Sequence, residues 1–391
     1  MEDPKPLPQL PASRASKIAA VILMVFLFAG LLSNLRFAST TESVLPHAVT
    51  RAGILDGTVS KELANRMADT PIAADAARAQ RALGWLTLHD LGPRVRQGCP
   101  GWLFLRDELS VYADSDSHLA TRADTVAAVQ RELARHGIAL LVVVVPDKSR
   151  IEPQHLCSLY RPVSLGARLA DWTSRLTADG VQVLDLSAAL RGAPGGAFFR
   201  TDTHWTEDGA GAAAQAVAQR IRAMGVPLGS SKPDYRVTDT PPGRRPGDLV
   251  RLAGLDDLPP SWQPRPEIAA SRDYIPQAQA AASADDLFGD ADLPGIAVIG
   301  TSYSTTSDFV PQLALALGTG VGNFAREGGK FGGSARAYFA SPAYAQTPPR
   351  LVVWELDERD LQSPLEAEDT VVVPKSSAID SRTPHVEAST L

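Results

Sequence analysis

Cysteine is scarce, with two residues, and aromatic side chains make up only 6% of the chain. Two cysteines exclude a disulfide-dense scaffold and a cysteine-built zinc site. Positive charge is not in surplus. Lys and Arg number 38 against 44 Asp and Glu, a formal charge of −6, which argues against a nucleic-acid partner. The seven histidines form no i,i+3 or i,i+4 pair and no HxH or HExxH pattern, so no metal site is expected. Internal repeats are absent. What remains, 44% hydrophobic and 21% charged, is the composition of ordinary globular protein. Its 391 residues suggest two to three domains.

One stretch breaks that average. From Ile18 to Leu35 there is no charged residue and nearly every side chain is apolar. A spanning helix needs roughly 17–25 residues, so the run suffices, with Phe37 and Ala38 extending it. Arg14 and Lys17 precede it, which by the positive-inside rule keeps the N-terminus cytoplasmic and exports the chain beyond residue 38. The competing readings are a cleaved signal, for which the run is long and Arg36 spoils the cleavage context, and a buried core helix. Export would put Cys99 and Cys157 in an oxidising compartment, where they are either a disulfide or two buried thiols.

Residues 1–17 are Pro-rich and polar, a cytoplasmic stub; 18–38 is the anchor; 39–90 is a connector with helical character, Ala-rich between Asp75 and Gly84. From 91 to 361 apolar strand patterns alternate with helical ones. Ala139–Val145 is a continuous β-branched run of the kind buried on both faces of a parallel sheet. Helices are expected over Arg122–His136, Leu165–Ala178 and Glu207–Met224, and strands over Val181–Leu186, Ile296–Ile299 and Leu351–Trp354. Such alternation implies an α/β layer fold with a mostly parallel sheet. Residues 225–294 hold eleven prolines and little periodicity, an irregular insertion; 362–391 is polar and Ser/Thr-rich, a disordered tail.

Three pieces carry candidate chemistry. Ile299-Gly300-Thr301-Ser302-Tyr303-Ser304 runs from an apolar strand into a tight turn with a helical pattern after it. A serine there stands beyond the carboxyl end of a strand, at a helix N-terminus whose N–H groups can hold an oxyanion. The alternative is an ordinary helix cap, a role open also to Ser304. In Asp202-Thr203-His204-Trp205, an extended segment would turn Asp202 and His204 the same way, so that Asp202 accepts the Nδ1–H and leaves Nε2 as a base. The alternative is a chance surface turn. In Trp354-Glu355-Leu356-Asp357-Glu358-Arg359, a Glu355–Arg359 ion pair is expected to fix the exit of the last strand.

Gly-Trp-Leu-Phe-Leu (101–105), Val-Val-Pro-Asp-Lys (144–148), Asp-Thr-His-Trp (202–205), Gly-Thr-Ser-Tyr-Ser (300–304) and Trp-Glu-Leu-Asp-Glu-Arg (354–359) occur in that order. Over roughly residues 50–361 the chain resembles the alginate O-acetyltransferase family of SGNH-hydrolase-like proteins, and the anchored layout resembles its membrane-bound J-type. The resemblance implies a three-layer SGNH-hydrolase-like α/β fold. It implies Ser302 as nucleophile, His204 as base and Asp202 as its orienting acid. It further implies an acetyl-serine intermediate and acetyl transfer to polysaccharide hydroxyls, with acetyl groups supplied by a membrane-bound O-acyltransferase. Other proteins of an acetylation complex are expected partners, the inner membrane is the expected location with the catalytic domain in the periplasm, and no cofactor is implied. The competing function is a periplasmic acetylesterase, or a non-catalytic member of such a complex. Tyr303, Asn323, Arg326 and Lys148 are the candidate substrate contacts, with Lys330 and Arg336 as further cations for an acidic polysaccharide. The Gly-rich stretch 323–333 is a candidate second oxyanion donor.

Overall fold

The computed structural model describes residues 13–40, 48–68, 70–228, 233–277 and 294–374. In chain order its strands are β1 (Val95–Gln97), β2 (Leu103–Leu105), β3 (Ala139–Val145), β4 (Gln182–Asp185), β5 (Tyr235–Arg245), β6 (Glu267–Pro276), β7 (Ile296–Ile299), β8 (Gly322–Asn323) and β9 (Leu351–Asp357). The chain divides after Asp90 into two units.

The first unit is helical. Arg14–Thr40 is one helix without an acidic residue in its first turn, and its apolar side chains from Ile18 to Leu35 are exposed. By length and composition it is able to cross a membrane. Shorter helices follow over Arg51–Leu55, Thr58–Ala68 and Pro71–Leu88. Thr50 caps the first of these by accepting the Gly53 N–H, and Pro71 opens the last, where a missing N–H costs nothing.

The second unit is built on a five-stranded parallel sheet in the order β4-β3-β9-β7-β8. Strand β3 is apolar throughout because both faces are covered. Leu140, Val142 and Val144 join one core with the helices Ser115–Arg135, Arg168–Ala178 and Gly333–Phe339. Leu141, Val143 and Val145 join the other with Glu207–Ala223 and Phe309–Leu317. This is the three-layer arrangement expected. The first helix begins at Ser115, seven residues before its apolar pattern suggested. The last strand runs three residues past Trp354 to Asp357.

Two expectations are corrected. Part of the 225–294 stretch is regular: β5 and β6 form an antiparallel ribbon. Pro241 and Pro242 fall at its register shift between Thr240 and Gly243, where no ladder N–H is needed. Residues 229–232 and 278–293 lie outside the described residues. The tail is ordered through residue 374. Val371 and Val373 reach the first core, and Asp369 meets the buried guanidinium of Arg122 at 2.7 Å. Polar composition hid this, because one buried arginine recruits its acid from far along the chain. Residues 375–391 lie outside the described residues. Cys99 and Cys157 are disulfide-bonded, tying the turn between β1 and β2 to the loop after β3.

Candidate active site

Parallel strands bring their carboxyl ends to one edge, where side chains from distant parts of the sequence meet. Strand β7 ends at Ile299; Gly300 follows, then Thr301 caps a short 3-10 turn over Ser302–Ser304. The helix expected directly after Ser302 begins only at Phe309, so Ser302 is on a tight turn and not at a helix N-terminus. That turn is held by Glu355, which is fully buried at the end of β9. Its carboxylate accepts the Thr301 N–H at 2.7 Å, the Thr301 hydroxyl at 3.0 Å and the Ser304 hydroxyl at 3.0 Å. Gly300 is required here, since a Cβ would collide with Glu355. The expected Glu355–Arg359 pair is replaced. Arg359 pairs with Asp357, and Glu355 serves the serine turn. The signal for Glu355 was period two: beyond Leu351 and Val353, the next residue on that strand face is Glu355.

The second piece is a looped segment between β4 and the helix Glu207–Ala223. Phe198 and Trp205 form an isolated bridge at its base. Trp205 is buried against Tyr303 and Phe309, with ring centroids 5.0 Å apart in each pair. Residues 201–204 are bends, not an extended strand. Asp202 still faces His204, because its Oδ1 accepts both the His204 backbone N–H at 2.9 Å and Nδ1 at 2.6 Å. His204 Nε2 stands 2.8 Å from Ser302 Oγ. A hydrogen-bonded chain Asp202–His204–Ser302 thus joins side chains that, at His204 and Ser302, lie 98 residues apart.

Electrostatics favour this arrangement. Burial alone would raise the Asp202 carboxyl, but the hydrogen bond and charge of His204 outweigh it and hold Asp202 well below the usual range, ionised. For His204 burial would lower the proton affinity, but Asp202, then Asp248, raise it above the ordinary histidine value.

The other candidate contacts separate by position. Lys148 is buried, and its ammonium donates to the carbonyls of Leu103 (2.6 Å), Arg200 (2.9 Å) and Asp202 (3.0 Å). Burial pulls its pKa down to about 8 against the raising effect of nearby acids. It braces the loop and has no reach toward a polymer, which corrects the substrate-contact expectation. Tyr303 is likewise buried; its hydroxyl donates to the Thr203 carbonyl at 2.6 Å, behind the histidine. Asn323 donates to the Ser304 carbonyl at 2.9 Å. Arg326 is exposed, and its backbone N–H donates to the Gly300 carbonyl at 3.1 Å, packing the Gly-rich loop on the serine turn. Lys330 pairs with Glu366, and Arg336 donates to the Ala367 carbonyl.

Ser302 and His204 open into a cleft of about 770 Å³. Its far wall comes from the stretch that sequence reasoning set aside: Arg244, Arg245, Asp248 and Arg251 all line it. Glu327 and Gly328 of the Gly-rich loop line it too, and among the described residues the Ser302 N–H has no hydrogen-bond partner. Asp202, His204 and Asp248 place ligating atoms within 4.8 Å of one another, a grouping that could hold a metal ion. All four carboxylate oxygens, however, already accept protein N–H or O–H donors. That donor set is a hydrogen-bond network.

Known proteins resemble this chain in sequence and in fold. The model of an SGNH hydrolase-like domain, acetyltransferase AlgX, matches residues 95–358. The chain is 34% identical over 301 residues to the "Probable alginate O-acetylase AlgJ" of Pseudomonas aeruginosa, covering 74% of this chain and 76% of that one. It is 33% identical over 296 residues to the protein of the same name in Azotobacter vinelandii, with the same coverage. The solved O-acetyltransferase domain of Pseudomonas putida AlgJ superposes with a TM-score of 0.60 at 26% identity, over 70% of this chain and 94% of that one.

Proposed function

The chain belongs to the SGNH hydrolase-like AlgX acetyltransferase family, and from that premise we propose that it is an O-acetyltransferase acting on hydroxyls of an exopolysaccharide through an acetyl-enzyme at Ser302. The observation that carries the reading is the 2.8 Å contact between His204 Nε2 and Ser302 Oγ, with Nδ1 held by Asp202. The likeness to alginate O-acetylases supports alginate or a related polymer as acceptor.

In the first half-reaction His204 takes the Ser302 proton as Oγ attacks the acetyl carbonyl. Asp202 stabilises the imidazolium, and His204 returns the proton to the leaving group. The Ser302 N–H and backbone of the Glu327–Gly328 turn are the oxyanion donors this reading uses, each worth about 2.7–4 kcal/mol in a comparable site. In the second half-reaction His204 takes the proton of a sugar hydroxyl as its oxygen attacks the acetyl-serine carbonyl; the bond from the acetyl carbon to Ser302 Oγ then breaks, and His204 returns the proton to Oγ. Because a base must be neutral and His204 binds its proton more tightly than usual, activity falls on the acid side with a midpoint above about 6.5. The apolar Arg14–Thr40 helix supports an anchored, periplasmic catalytic unit at the inner membrane, fed by a membrane-bound O-acyltransferase and working beside other acetylation proteins.

The test is the full chain in detergent with an acetyl ester, with and without mannuronate oligomers. Acetylated oligomer, lost in Ser302→Ala, supports the reading. Acetate release that acceptor never diverts supports the esterase instead, and activity unchanged in Ser302→Ala overturns both.

A further inference from the structure

Asp248 belongs to the ribbon insertion, yet it stands beside the catalytic histidine. The backbone before it explains how. Gly247 lies so close to Thr201 that a Cβ would collide with the Thr201 carbonyl, and the Leu249 N–H donates to that same carbonyl at 3.2 Å. The insertion is therefore fastened to the loop that carries Asp202 and His204. From this position Asp248 Oδ1 accepts the Thr203 N–H at 2.7 Å and Oδ2 accepts the Thr203 hydroxyl at 2.5 Å. Its own N–H donates to Asp202 Oδ2 at 3.3 Å, and its Oδ2 is 3.7 Å from His204 Nδ1.

We propose that Asp248 is a second positioning carboxylate for His204, resting on the acyl-transfer reading of the Ser302–His204 pair. Two carboxylates share the Nδ1 side of one imidazole. Asp202 takes the hydrogen bond; Asp248 adds charge and, through Thr203, holds the turn on which His204 is mounted. The other charges facing the imidazole are Arg245, 3.6 Å from Asp202 Oδ2, and Asp357 and Arg359 from the end of β9. Burial and the Asp202 charge raise the proton affinity of Asp248, while His204 lowers it. Its negative charge is thus favoured most when the imidazole becomes charged, which is the moment Ser302 loses its proton.

The test reads His204 directly, through the pH dependence of Ser302 modification by phenylmethanesulfonyl fluoride in the full chain. This readout survives failure of the acetyltransferase assignment, because it needs only a base-activated serine. Asp248→Asn keeps the shape and removes the charge. The expected result is an acid midpoint displaced toward lower pH by roughly 0.5–1 unit, with the maximal rate reduced about 3–10-fold. Asp248→Glu, which keeps the charge, should return the midpoint toward the wild-type value. A midpoint unmoved in Asp248→Asn, whatever the loss of rate or stability, overturns the proposal. So does a wild-type Ser302 that the reagent never modifies, since there is then no activated pair to serve. If Asp248→Asn does not fold, the comparison moves to Thr203→Val, which removes the hydroxyl and keeps the charge. Its midpoint should stay near wild type, and a shift as large as roughly 0.5–1 unit overturns the assignment of charge to Asp248.

Discussion

Two clusters of charge stand at the carboxyl-end edge of the same parallel sheet. One is Ser302, His204, Asp202 and Asp248. The other is Asp147 and Glu358 with Arg150, Arg161 and Arg168. In the second cluster every acid is matched by arginine. Glu358 accepts from Arg150 Nη2 at 2.6 Å and Arg161 at 2.8 Å, and from the Asp147 N–H at 3.0 Å; Asp147 meets Arg161 at 2.9 Å and Arg168 at 3.2 Å. Burial would raise Glu358, but Arg150 and its neighbours hold it low. In the first cluster the acids outnumber the cations, and Ser302 faces a cleft. The same sheet edge supports both because position along it decides whether a charge meets an arginine or open space. Charge matched inside the protein holds segments together, whereas on the proposed acyl-transfer reading charge left to one histidine prepares a proton transfer.

Four substitutions test that contrast, in descending order of expected effect. Asp202→Asn should leave the fold intact and cut turnover by about 10⁴-fold, as loss of the orienting acid does in a serine triad, measured as initial rate on an acetyl ester. A loss under tenfold would break the comparison from the catalytic side. Glu358→Ala should do the reverse. It strands buried arginines and costs about 3–5 kcal/mol in urea unfolding, while the folded fraction keeps its rate within a few fold. Glu355→Gln belongs to both sides. It retains an acceptor for the Thr301 N–H but misplaces one hydroxyl partner, so about 1–3 kcal/mol of stability and a several-fold loss of rate are expected together. Arg326→Ala, exposed and outside the cleft lining, should change stability by no more than about 0.5 kcal/mol and leave the acceptor KM within twofold. A large rise in KM there would restore it as a substrate contact.

On the acyl-transfer reading proposed above, Ser302 and the Asp202–His204 pair were legible in the sequence because each is announced locally. Ser302 follows a buried strand, and Asp202 lies two residues from His204. The β-branched run Ala139–Val145 likewise announced a strand covered on both faces. Glu355 was within reach of the same reasoning, had the period of β9 been followed past Trp354. Asp248 and Arg251 were not legible. They sit in proline-rich sequence, and only the antiparallel pairing of β5 with β6 and the close approach of Gly247 to Thr201 turn that segment into a cleft wall. Lys148 misled for a related reason. A lysine after a strand reads as solvated, and three carbonyls converging from separate segments are what bury it.

The sequence by itself determined the layers of the α/β unit, the apolar helix ahead of it in the chain, and the residue types available for the proposed chemistry. Those depend on periodicity and on neighbours a few positions apart, which short-range sterics and burial dictate. Tertiary structure alone decided which charges are matched, whether the two cysteines are joined, and which insertion faces Ser302. Each of these depends on partners tens to hundreds of residues away, and the electrostatic cost of a buried charge is settled only by what the fold places beside it.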